Sequence, residues 1–139
     1  MVNPNIVKAK ISHIEKGLQR LKLKQNITLD AFKNNPDLQD IILHNLQLSI
    51  QGCIDIASHI ISDEGWIVPG TLTGLFDILT EHEVISGELN ERLKKMVGFR
   101  NIIIHEYEDI DLDIVYMILT KNIGDIYLFL KQVCDYCRV

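Results

Sequence analysis

Residues 36–62 read PDLQDIILHNLQLSIQGCIDIASHIIS, with Asn35 immediately before them. Asparagine followed by proline and aspartate is the pattern of a helix start: a side-chain oxygen caps the free N–H groups and proline pre-sets the first turn. The apolar residues keep a helical period to about Ser62, and the glycine of DEGW then stops the run. A helix of roughly 26 residues spans about 39 Å, so this segment is expected to be the spine of the fold.

Working towards the N-terminus, Asn3 and Pro4 repeat the same start signal, and Val7, Ile11, Ile14, Leu18 and Leu21 follow at spacings of three and four. Towards the C-terminus, GWIVPGTLTG reads as a loop with Pro69 and Gly70 as breakers, and Trp66 is expected to pack beneath it. A short helix is expected around Leu72–His82, and another begins at Ser86 with Leu89, Leu93, Met96 and Val97. EDIDLD interrupts that helix, and Asp111 is placed to cap a last one carrying Ile114, Val115, Ile118, Ile123, Ile126, Phe129, Leu130 and Val133. No strand alternation is sustained. The reading is all-α: an antiparallel helical bundle of about five helices, formed by a single domain over residues 1–139. Gly17, Gly52 and Gly124 fall inside helical patterns, where close helix packing is the expected reason for them.

Composition narrows the class. Hydrophobic residues make up 47% and charged residues 24% of the 139, the balance of an ordinary globular chain. The first twenty residues hold no apolar signal region, and no apolar run reaches the roughly 20 residues of a membrane-spanning helix. Three cysteines without a signal point to reduced thiols in a cytoplasm and to no membrane association. Cys134 and Cys137 form a lone CxxC; with Cys53 the only other cysteine, a four-ligand zinc site within the chain is unsupported, so neither metal nor cofactor is expected.

The distribution of charge says more than its sum of −5. Residues 1–24 carry Lys8, Lys10, Lys16, Arg20, Lys22 and Lys24 against Glu15 alone. Residues 34–91 contain ten acids and no lysine or arginine; Arg92, Lys94, Lys95 and Arg100 then arrive together. Net acidity argues against broad nucleic-acid binding, while segments 1–24 and 92–100 could form a local basic surface and the acidic stretch could serve a basic partner.

One stretch carries chemistry: GFRNIIIHEYEDID, residues 98–111. Histidine exchanges protons near neutral pH, and an arginine fork matches phosphate oxygens and a pentacoordinate phosphorus. Arg100 and His105 could together cleave RNA without metal, the base removing a 2′-hydroxyl proton so that this oxygen attacks the adjacent phosphorus. Asn101 could orient the phosphate or the imidazole, and DNA, lacking the internal nucleophile, would be a poor substrate. Geometry objects: five residues along a helix place Arg100 and His105 about 140° and about 7.5 Å apart. Either the helix ends between them, or a second subunit across a twofold axis completes the cleft. The competing reading is a histidine that merely closes a helix end.

The motif RNIIIH followed by EY resembles the R-x4-H-x-Y form of the HEPN motif in HepT-like toxins. IDIASHIIS, VPGTLTGLFDIL, VISGELNERLKKMVGFRN and YEDIDLDIVYMIL are similar to the same family, over about residues 40–120. The resemblance implies a five-helix HEPN-like domain, dimeric, with ribonuclease activity in a cleft between protomers. It implies Arg100 and His105 as the catalytic pair with Asn101 their polar neighbour. It also implies a nucleotidyltransferase antitoxin of the MNT type, able to transfer AMP onto Tyr107. The alternative within the same fold is a non-catalytic HEPN adaptor or a nucleotide-binding accessory of a nucleotidyltransferase.

Overall fold

The computed structural model describes residues 1–139, and every regular element in it is helical. In chain order these are α1 (Pro4–Lys22), α2 (Leu29–Lys33), α3 (Pro36–Glu64), α4 (Leu72–Glu81), α5 (Gly87–His105), a 3₁₀ turn (Tyr107–Asp109), α6 (Leu112–Met117), a π-helical segment (Ile118–Asn122) and α7 (Ile123–Cys137). The expected five long helices are α1, α3, α4, α5 and the continuous run from α6 through α7. The spine is three residues longer than its sequence signal, 29 residues, because the chain stays helical until Gly65 takes a left-handed φ of 73°.

Most of the starts sit where the capping residues place them. Asn3 accepts from the Asn5 amide, Asn35 from Leu38, Thr71 from Gly74, Ser86 from Leu89 and Asp111 from Asp113. The short α2 was not foreseen; Thr28 caps it through the Ala31 amide, and its reason for existing is Phe32, which is fully buried.

The core is one cluster of 35 buried hydrophobic residues, to which every long helix contributes. All five residues of the α1 stripe, Val7, Ile11, Ile14, Leu18 and Leu21, belong to it. Burial of such side chains, about 1.5–3 kcal/mol each, is what holds α1 to α3. The two helices approach closely because of two glycines. A Cβ on Gly52 would lie 2.7 Å from Ile14 Cδ1, and one on Gly17 would lie 3.2 Å from Ser49 Oγ. Gly124 is different: a Cβ there would meet nothing within 4 Å, so close packing does not explain it.

The last helix also departs from the sequence reading, which took it as uninterrupted. Residues 118–122 are π-helical, a local widening by one residue. Thr120 Oγ1 donates to the Tyr116 carbonyl at 2.8 Å, and Gln25 Nε2 donates to the Leu119 carbonyl at 3.1 Å, so polar side chains take up one carbonyl just before this widened stretch and one within it. Trp66 does lie under the 65–71 loop, stacked on His82 with ring centroids 3.7 Å apart and packed against the core. No helix is long and apolar enough to cross a membrane.

Candidate active site

Helix α5 carries both expected catalytic residues, and it does not break between them. It runs through Arg100, Asn101 and His105, and His105 is its final residue. Of the two ways out of the geometric objection, the helix end between them is therefore closed. Along one helix the pair stays about 140° apart, pointing to different sides.

Arg100 is half-buried and held on two sides. Its Nη2 donates to Gln51 Oε1 of α3 at 2.6 Å, and its Nη1 donates to Asn101 Oδ1 at 3.1 Å. Gln51 Nε2 in turn donates to Asp55 Oδ1 at 3.0 Å. The chain of contacts runs Asp55, Gln51, Arg100, Asn101, and it fixes a long, flexible side chain in one orientation. Arg100 Nε is buried and has no hydrogen-bond partner within the chain. His105 and Asn101 are exposed.

Tyr107 follows in the 3₁₀ turn, 44% exposed, and its hydroxyl donates to the Asp40 carboxylate of α3. That hydrogen bond, followed by partial burial and the Asp40 charge, pushes the phenol up to about 12. Gln51 and Asp40 were missed by sequence reasoning. The signal that could have found them is a polar stripe on an otherwise apolar helix: Asp40, His44, Gln47, Gln51 and Asp55 recur at spacings of three and four. Two members of that line, Asp40 and Gln51, reach the motif.

The charged segments rearrange the electrostatic reading. Arg92 pairs with Glu88 at 2.8 Å and Asp125 at 3.3 Å, and Lys94 pairs with Asp77 at 2.6 Å. Two of the four cations of segment 92–100 are thus paired within the fold, while Lys95 has no acidic partner and Arg100 is held by two uncharged amides. The acidic stretch is partly consumed as well: Glu64 bonds the N-terminus, besides Asp77 and Glu88. The thiols are unpaired, and burial pushes Cys134 up and Cys137 up to about 11, which keeps both protonated near neutral pH. No three His, Cys, Asp or Glu side chains converge in a way that could hold a metal ion.

With this geometry in hand, comparison with known proteins gives a consistent picture. A family described as ribonuclease HepT-like matches residues 14–133. The chain is similar to the mRNA nuclease HepT of Shewanella oneidensis, 34% identical over 131 residues that cover 93% of this chain and 96% of that protein. It is also similar to the tRNA nuclease HepT of Aphanizomenon flos-aquae, 30% identical over 135 residues, covering 97% and 92%. A solved structure of tri-AMPylated Shewanella oneidensis HEPN toxin in complex with MNT antitoxin superposes with a TM-score of 0.87 at 32% identity, over 96% of this chain and 99% of that one.

Proposed function

The chain belongs to the HepT-like ribonuclease family, and from that membership we propose that it is the toxin of a toxin–antitoxin pair: a metal-independent endoribonuclease restrained by a nucleotidyltransferase antitoxin. It acts in the cytoplasm as one domain over residues 1–139. The observation that carries the reading is the Arg100 guanidinium, held in one orientation by Gln51 and Asn101, on the helix that ends in exposed His105.

In this reading His105 takes the 2′-hydroxyl proton, and the 2′ oxygen attacks the adjacent phosphorus. Arg100 stabilises the charge gathering on the phosphoryl oxygens, and Asn101 steadies the guanidinium. The bond to the 5′ oxygen breaks, that oxygen takes a proton, and a 2′,3′-cyclic phosphate remains. Arg100 and His105 diverge on one uninterrupted α5, so the working site is shared by two copies related by a twofold axis. Two motifs then supply two imidazoles, one to accept the first proton and one to donate the second.

The pairing with an antitoxin is carried by the AMPylated toxin–antitoxin complex to which this chain is similar. Expression of this chain alone is expected to arrest growth, and co-expression of its nucleotidyltransferase partner to restore it. Unimpaired growth at a verified level of folded protein would count against the toxin reading.

Gln51 is a positioning residue in this scheme, since it touches Arg100 and not the reacting atoms. Gln51→Ala is expected to lower kcat by on the order of tenfold with little change in KM, because a misplaced guanidinium costs transition-state contact. Gln51→Glu, which would tie Arg100 into an ion pair, should lower it at least as far. A loss seen only as a lower melting temperature, with unchanged kcat in the folded fraction, would make Gln51 merely structural.

A further inference from the structure

The ion pairs that hold Arg92 and Lys94 do not touch α1. Seven salt bridges form in the chain, and none includes Lys8, Lys10, Lys16, Arg20, Lys22 or Lys24. A surface that folding leaves uncompensated in an otherwise acidic protein invites a negatively charged ligand.

Part of that charge surrounds a built groove. Between α1 and α3 lies a pocket of about 90 Å³, lined by His13, Lys16, Gly17 and Arg20 on one side and Asn45, Leu48 and Ser49 on the other. No acid lines it; Glu15, the one acid of α1, faces the Tyr127 and Cys134 side chains of α7. The floor is polar and unsatisfied. Asn45 is 4% exposed and Ser49 1%, and neither Asn45 Oδ1 nor Ser49 Oγ has a hydrogen-bond partner. Asn45 Nδ2 is occupied by the Ile41 carbonyl at 2.8 Å, which fixes the amide with its oxygen left over. Two orphaned oxygens side by side in a nearly dry position call for an occupant. The groove has room for about three waters or one phosphate-sized group. The Ser49 hydroxyl can donate to an anionic oxygen there, and Asn45 Oδ1 can accept from a bridging water. Gly17 keeps the groove open: a Cβ on it would sit 3.2 Å from Ser49 Oγ.

The groove is close to the motif. Gln51, which holds Arg100, is two residues on from Ser49 and about 200° round α3, so groove and motif flank the same helix, about one helix diameter (roughly 10 Å) apart. We propose that the α1–α3 groove, through Lys16, Arg20, His13 and the Ser49 hydroxyl, binds a backbone phosphate of the RNA strand a few nucleotides from the phosphate at Arg100. The inference rests on the ribonuclease reading. It adds to that reading a second anchor, which orients the strand across α3 and favours substrates long enough to reach both points.

The test compares Lys16→Glu/Arg20→Glu with Lys8→Glu/Lys22→Glu, an equal charge change at exposed α1 positions outside the groove. Binding of an uncleavable 2′-O-methyl RNA 12-mer is followed by fluorescence anisotropy across a salt series. The groove variant is expected to bind about tenfold more weakly than the control variant, and its slope of log affinity against log salt to fall by about 0.7, the value for one single-strand phosphate contact. Cleavage of an RNA 12-mer should show a raised KM, while a ribodinucleotide, too short to reach the groove, is cleaved as by the wild type. Ser49→Ala should reproduce a smaller part of the binding loss. Equal loss in both charge variants, equal loss on both substrates, or loss of binding to anionic lipid vesicles instead of RNA would overturn the proposal. Should the wild type cleave neither substrate while the groove variant still loses 12-mer binding, the anchor stands and the nuclease reading falls.

Discussion

His105→Ala and Arg100→Ala are each expected to lower RNA cleavage by the purified chain by a factor of about 10²–10⁴, the range for loss of a general base or of an electrostatic stabiliser. The effect should be chemical and not structural. His105 is exposed at the end of α5, so its removal exposes no core. Arg100 is half-buried, but its partners Gln51 and Asn101 can turn to water, which limits the cost to about 1 kcal/mol. Arg100→Lys keeps the charge and loses the planar fork, so it should recover little. Both alanine variants should elute and melt close to the wild type. Mixing the two variants offers a sharper check on a shared cleft: a heterodimer that pairs an intact arginine from one copy with an intact histidine from the other should regain part of the activity, whereas a cleft built from one copy would regain none.

The second large effect concerns Tyr107. With ATP and the antitoxin, the chain is expected to gain the mass of AMP on Tyr107, and Tyr107→Phe to gain none at that position. The Tyr107 oxygen would attack the α-phosphorus of ATP, pyrophosphate would leave, and the phenolic proton has to go somewhere. Since the phenol is pushed up to about 12, almost none of it is ionised near neutral pH, and the Asp40 carboxylate that accepts its hydrogen bond is placed to accept the proton. Asp40→Asn should therefore slow modification on the order of 10²-fold, and in a spectrophotometric titration of the unmodified protein Tyr107 should ionise at lower pH. The product would replace the Tyr107–Asp40 hydrogen bond with a bulky anion beside Asp40, next to the site proposed for RNA, and cleavage should fall in step with the modified fraction. AMP on another residue, with Tyr107 left bare, would contradict this account of the off-switch.

What the sequence disclosed follows a physical division. Helix starts were legible because capping is local: Asn3, Asn35, Ser86 and Asp111 bond amides two or three residues on, as does Thr71, which the sequence reading did not single out. The stripe Val7–Leu21 was legible because helical period and burial are the same fact seen twice. The motif residues could be named from residue type and likeness to a family. Their supports could not, because the Arg100–Gln51 and Tyr107–Asp40 contacts join residues 49 and 67 apart, and a lone glutamine or aspartate on a long helix announces no partner. The ion pairs of Arg92 with Asp125 and of Lys94 with Asp77 were hidden for the same reason, since those acids lie 33 and 17 residues away in the chain. Gly52 and Gly124 looked alike in the sequence, yet only Gly52 meets a facing side chain.

The most direct test of the central claim is the chemistry of the cut ends. The purified chain is incubated in chelator with an RNA oligonucleotide, and with the same oligonucleotide carrying a single 2′-deoxy sugar at the cleaved position. The account predicts 2′,3′-cyclic phosphate and 5′-hydroxyl ends from the first and no cut at that step in the second. Cleavage of the deoxy-substituted strand at the same step, or ends that appear only when a divalent metal is restored, would contradict it.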